Sequence, residues 1–183
     1  MRYEQLKWLG LLTIVVAANA GIECYHPPVD TAPPQDVSFM HVPHHHSEPK
    51  LLANTAGLFV GLLWGTVCSF WYGDVALFKW WTIVYFVRCF SILTPQAPFR
   101  ASQYDFPDMV LKEWCPDFPA ISMFSGHVGF VVTLIRYARV HKWHVLYWIL
   151  HVFNGFQIMV QLESRGHYSN ELVVGYVVGM YAM

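Results

Sequence analysis

The chain has 183 residues, of which 55% are hydrophobic, 17% aromatic and 13% charged. A soluble domain carries about a quarter charged residues, so this composition excludes an ordinary water-soluble fold and points to an integral membrane protein. A formal net charge of −1 supplies no basic stripe, which removes nucleic acid as a partner.

Leu6–Ile22 is the first apolar run long enough to consider as a span. Arg2 and Lys7 flank its apolar core, and Ala18-Asn19-Ala20-Gly21 resembles a signal-peptidase site. The run nearly reaches spanning length, and the later topology works with it kept, so it is read as a retained span. Residues 23–50 follow as a loop rich in Pro and His, including His41 and His44-His45-His46. Imidazoles invite a metal, but no paired spacing fixes a coordination geometry, so a solvated irregular loop is expected and no metal is assigned.

Leu51–Trp71 and Val75–Leu93 are the second and third spans. Gly57-x-x-x-Gly61-x-x-x-Gly65 places small residues on one face for close helix packing. Arg88 stands near the outer end of the third span; an apolar span rarely keeps an arginine without a partner, and guanidinium matches phosphate oxygens. Residues 95–119 hold five prolines and an acidic cluster, and read as a loop lying over the membrane surface like a lid.

Ala120–Tyr137, Val145–Leu162 and Tyr168–Met183 complete six candidate spans. Long, continuously apolar runs without strand-length alternation favour helices over a barrel. The expected fold is therefore all-α: one polytopic domain over 1–183, a six-transmembrane-helix bundle. Asn154 and Gln157 are expected to make interhelical hydrogen bonds, and Gly175-x-x-x-Gly179 to pack against a neighbour. Cys24 and Cys115 share the expected oxidising side and are candidates to pair, whereas Cys68 and Cys89 read as small core groups.

Positive charge sets the orientation. Arg136, Arg139 and Lys142 after the fourth span place that end in the cytosol, with Arg2, Lys7 and Lys79. The loops 23–50 and 95–119, with His127 and His167, then face the lumen or exterior together. That placement corresponds to the endomembrane system (Golgi or endoplasmic reticulum) or the plasma membrane.

The chemistry gathers around these two histidines. His167 opens a helix after Ser164-Arg165-Gly166, and Glu171 lies four residues on, one turn along the same face. A carboxylate there orients one ring nitrogen and leaves the other basic, the arrangement of a histidine nucleophile or base. Arg165 can bind phosphate oxygens. His127 begins a helix behind Ser125 and Gly126, where free backbone N–H groups favour a phosphate and Gly permits its close approach. Its imidazole can protonate a leaving alkoxide. The bland alternative is a pair of interfacial anchors or pore-lining groups; His26, His141, His144 and His151 lack such surroundings and are read as interfacial or core residues.

Phe124-Ser125-Gly126-His127 and His167-Tyr168-Ser169-Asn170-Glu171 resemble two signature blocks of the sphingomyelin synthase family, within the lipid phosphate phosphatase superfamily. Arg88 through Thr94, followed by Pro95 and Pro98, resembles a third block, and Pro33-Pro34-Gln35-Asp36 a fourth, more loosely. Arg165-Gly166-His167-Tyr168 is also similar to the plant phosphatidylcholine:diacylglycerol cholinephosphotransferases. The resemblance implies a headgroup transferase. In it His167 attacks the phosphorus of a phospholipid donor, Glu171 orients His167, and His127 protonates the departing diacylglycerol. A ceramide or diacylglycerol acceptor then displaces the histidine, with no cofactor. Those families carry Asp where Glu171 stands, and Thr where Ser169 and Val128 stand, so the resemblance implies that Glu171→Asp keeps or raises activity. A phosphatase-like hydrolase, a catalytically weak lipid-binding protein and a homo-oligomer stay open at this point.

Overall fold

A computed structural model describes residues 2–25, 41–43, 47–92, 125–164, 167 and 169–182. Among them are six helices: α1 (Arg2–Tyr25), α2 (Glu48–Tyr72), α3 (Ala76–Ile92), α4 (Gly126–Val140), α5 (His144–Glu163) and α6 (Ser169–Tyr181). The all-α, six-helix architecture expected from the apolar runs is what these residues form. Three stretches, Tyr3–Ile22, Pro49–Tyr72 and His144–Glu163, are long and apolar enough to cross a membrane. Helices α3, α4 and α6 have 17, 15 and 13 residues, shorter than the roughly 20 that a spanning helix needs. The 95–119 segment, His44–His46, Pro33–Asp36, Cys115, Phe124, Arg165 and Tyr168 lie outside the described residues, as does the side chain of Cys24.

Local chemistry accounts for the helix ends. Pro49 sits in the first turn of α2, where its missing N–H costs nothing, and Gly73 ends that helix at φ 67°, ψ 22°. The Asp74 carboxylate then accepts from the Ala76 N–H at 2.8 Å and starts α3. Between α4 and α5 the turn contains no glycine. Lys142 takes the left-handed position at φ 57°; its N–H reaches Arg139 O at 3.1 Å, and Trp143 N–H reaches Ala138 O at 2.9 Å. These two bonds close a Schellman turn on a residue other than its usual glycine.

Helix α4 is the centre of the bundle, packed on α3, α5, α6 and α2, while α1 lies along α3. The main core joins Leu77, Phe78 and Trp81 of α3 to Phe130, Leu134 and Tyr137 of α4, with Leu150 of α5. Trp81 stacks on Phe130 with ring centroids 4.6 Å apart. Helix α2 turns Leu52, Phe59, Val60, Leu63, Val67 and Trp71 outward. So broad an apolar surface is a liability in water and the normal outer face of a helix in lipid.

Both glycine stripes make the close contacts expected of them. Gly57 meets the ring of Phe153, Gly61 the side chain of Leu134, and Gly65 those of Leu77 and Trp81. The α4–α6 contact is tighter, because backbone meets backbone. A Cβ on Gly175 would stand 2.6 Å from Ser125 O, and one on Gly179 2.6 Å from Gly129 O. Neither oxygen belongs to a side chain that can swing away. Gly175→Leu is therefore expected to cost about 1–3 kcal/mol by forcing the helices apart. Thermal unfolding in detergent measures this, with Gly155→Ala as the control: nothing lies within 4 Å of a Cβ there, and that variant should be neutral or slightly stabilised.

Arg136 corrects a detail of the charge reading. It lies within α4, and one guanidinium nitrogen donates to Gly179 O at 3.2 Å and Ala182 O at 2.8 Å, over the face of Trp80. The cation caps the last carbonyls of α6. It therefore makes internal contacts besides carrying charge.

Candidate functional site

His167 and Glu171 form a buried pair. Nδ1 of His167 lies 2.8 Å from Oε2 of Glu171, and the two residues are only 7% and 4% exposed. Helix α6 begins at Ser169, two residues after the start expected at His167, so His167 reaches Glu171 from the turn that precedes the helix and not from one of its faces. A carboxylate can only accept, so Nδ1 carries the proton and Nε2 keeps its lone pair. In the neutral ring that tautomer leaves Nε2 as the nitrogen with a free lone pair.

The second histidine block is joined to this pair through the backbone. Ser125 N–H donates to Glu171 O at 3.0 Å. The Ser125 side chain accepts from Val128 N–H at 3.4 Å and caps the N-terminus of α4. His127 follows in the first turn of that helix, partly buried. Both histidines therefore lie at one end of the bundle.

Arg88 joins from α3. A Cβ on Gly126 would stand 3.0 Å from Arg88 Cδ and 3.2 Å from its Nε. The absent side chain at Gly126 is what lets the arginine lie across the start of α4. A guanidinium and a helix N-terminus carry charge of the same sign, and their juxtaposition suits an anion that neutralises both. Contacts thus run in sequence from Arg88 to Gly126, Ser125, Glu171 and His167. Arg165 lies outside the described residues.

Gly175 and Gly179 belong to this site in a way that their sequence pattern alone did not reveal. His167, Glu171, Gly175 and Gly179 are spaced four apart in one line. The two glycines bring α6 against Ser125 and Gly129, which holds the His167 block in register with the Ser125-Gly126-His127 block. The continuous i, i+4 ladder was the available signal.

At the same end, Lys50 Nζ pairs with Glu163 Oε2 at 2.7 Å and ties α2 to α5. At the opposite end His141 Nε2 lies 3.5 Å from Asp74 Oδ2, and its ring stacks on Trp143 at 4.7 Å. That histidine is packed among aromatic side chains beside a carboxylate.

The AtPDCT1/2 family model matches residues 89–183, more than half of the chain. The chain belongs to the AtPDCT1/2 family. The matched segment contains Ser125, Gly126, His127, Arg165, His167 and Glu171, while Arg88 stands one residue outside it. No individual curated protein matches the chain. Family membership and the spanning-length helices together make this a membrane-embedded protein of a lipid-headgroup-handling family.

Proposed function

We propose that this protein is a membrane-embedded transferase that moves a phosphocholine-like headgroup from a phospholipid donor to a diacylglycerol or ceramide acceptor. The observation that carries this reading is the buried His167–Glu171 pair, tied by a backbone hydrogen bond to the Ser125-Gly126-His127 block. The match to AtPDCT1/2 favours exchange between glycerolipids over a ceramide acceptor.

The chemistry runs in two displacements. Nε2 of His167 attacks the donor phosphorus, and the bond from phosphorus to the glycerol oxygen breaks. That oxygen takes its electron pair and a proton from the His127 imidazolium, and leaves as diacylglycerol. The His167 Nδ1–H stays hydrogen-bonded to Glu171, which stabilises the positive charge on the phosphorylated ring. Arg88 and the N-terminus of α4 balance the phosphoryl oxygens. An acceptor hydroxyl then attacks phosphorus, His127 takes its proton, and the N–P bond breaks to restore His167.

A site in lipid favours transfer over hydrolysis by keeping water scarce while the hydroxyl acceptor is abundant. In this reading α3, α4 and α6 also cross the bilayer, and the histidines face the lumen or exterior of an endomembrane or the plasma membrane. Membranes containing the protein should convert labelled diacylglycerol and a phosphocholine-bearing donor into new labelled phospholipid, detected by mass spectrometry. Labelled ceramide in a parallel arm reports the second acceptor. Free headgroup without new phospholipid would assign a hydrolase, and no product from any donor would leave a lipid-binding protein.

A further inference from the structure

The buried amides of α5 did not find the partners expected of them. Gln157 is fully buried and Asn154 is 4% exposed. Among the described residues neither Nε2 nor Oε1 of Gln157 has a hydrogen-bond partner, and Asn154 Oδ1 has none. Leaving a carboxamide wholly unsatisfied inside an apolar bundle is costly, whereas an apolar residue of the same size would cost nothing. The Gln157 carboxamide and the Asn154 oxygen lie three residues apart on one side of the helix.

Their surroundings are fixed by neighbouring contacts. Gly57 of α2 meets Phe153 of α5, and Gly61 of α2 meets Phe130 and Leu134 of α4. One turn nearer the His167 end, on those same faces, stand Asn54 of α2, Gln157 of α5 and His127 of α4. Asn54 is also fully buried. Polar groups from three helices are thus directed into one wedge, beneath the Lys50–Glu163 pair at its rim. Gln157 is six residues inside Glu163, about 9 Å along the helix axis. In a bilayer that depth lies below the headgroups, near the glycerol and its carbonyl groups.

We infer that Gln157, with Asn154 beside it, binds the acceptor lipid by its free hydroxyl and the neighbouring carbonyl. A carboxamide offers a donor and an acceptor side by side, and a hydroxyl next to an ester or amide carbonyl offers the complement. Diacylglycerol and ceramide share that pair. Held there, the hydroxyl lies on the side of α4 that carries His127, the base that removes its proton. The inference rests on the transfer reading, since only a transferase requires an acceptor site distinct from the donor's.

The test uses the full chain in vesicles of phospholipid donor, with the mole fraction of diacylglycerol or ceramide varied in separate arms. Gln157→Met keeps the length and apolar bulk and removes the hydrogen bonds. It should raise the acceptor KM about tenfold while the donor KM changes little, and Asn154→Leu should act in the same direction. An unchanged acceptor KM, with a raised melting temperature in both variants, would overturn the inference by showing the amides to be merely unfavourable core groups. A diacylglycerol with a diazirine close to the glycerol provides a readout that needs no turnover. It should label the α5 peptide in the natural chain and fail to label it in Gln157→Met. Labelling without transfer product would keep the lipid site and sink the transfer reading. Transfer with an unmoved acceptor KM would do the reverse.

Discussion

His167→Ala is expected to abolish headgroup transfer, with a loss of about 10⁴-fold or more, the scale seen when a nucleophile is removed. In the proposed mechanism the imidazole forms the bond to phosphorus, with Glu171 holding its Nδ1 side at 2.8 Å. The same substitution removes one partner of a buried carboxylate, and breaking one side of a buried ionic pair costs up to about 3–5 kcal/mol. Loss of activity must therefore be separated from loss of fold. The double variant His167→Ala/Glu171→Ala removes both members of the pair; its melting temperature, read beside that of His167→Ala, reports the fold, and it should remain inactive. His127→Ala provides the complementary contrast. A donor whose leaving group needs no protonation should restore the first displacement, read as a burst of released leaving group, to His127→Ala and leave His167→Ala dead. Persistent transfer by folded His167→Ala would remove the nucleophile from this reading.

The two histidine blocks are far apart in sequence, and what joins them is the way α6 lies on α4. Gly175 lets α6 approach Ser125 O, and Gly179 does the same at Gly129 O. Farther along, Arg136 holds the final carbonyls of α6. The α4 segment is thereby locked to α6 at three places: its N-cap, its first turn and, two turns farther on, Arg136. The register of His167 against the capped start of α4 follows from that lock. His167 itself lies just before α6, so its position depends on the Glu171 carboxylate that the locked helix presents to it.

Much of this was legible in the chain. Apolar runs separated by polar segments gave the all-α class and the six helices, because a lipid environment leaves the backbone few alternatives. The pairing of His167 with Glu171 was expected from their spacing, although His167 makes it from the turn before α6, which starts at Ser169. Other features depended on geometry that no local pattern carries. The α4–α5 turn uses Lys142 at positive φ, so no glycine marked it. Arg136 read as a loop cation, yet the end of α6 comes close enough to be capped by it. Gln157 read as an interhelical hydrogen bonder, and only the coordinates reveal that its carboxamide has no partner among the described residues. The glycine ladder in α6 was visible, but that it abuts the serine of the other block is a property of the packed pair.

Glu171 provides the second large effect. Glu171→Gln keeps the shape of the side chain and removes its charge. If its amide N–H points at His167 Nδ1, the ring is driven to carry its proton on Nε2, the nitrogen meant to attack. A wrong tautomer in a comparable histidine–carboxylate pair costs about 10⁴-fold in turnover, and transfer by Glu171→Gln should fall on the order of 10³–10⁴-fold. Glu171→Asp tests the geometry. The family resemblance implies tolerance of Asp, but here the longer side chain already reaches its partner at 2.8 Å. The backbone of α6 at this point is held by Ser125 N–H on Glu171 O and by Gly175 against Ser125. Removing one methylene withdraws the carboxylate by about 1.5 Å, and a misplacement of ~1 Å is worth about 100-fold in rate. The expected result is therefore a drop of roughly 10–100-fold for Glu171→Asp, with Gly175→Ala leaving it no better. Full activity in Glu171→Asp would mean that α6 can slide toward α4, and that the lock between these helices is looser than their backbone contacts imply.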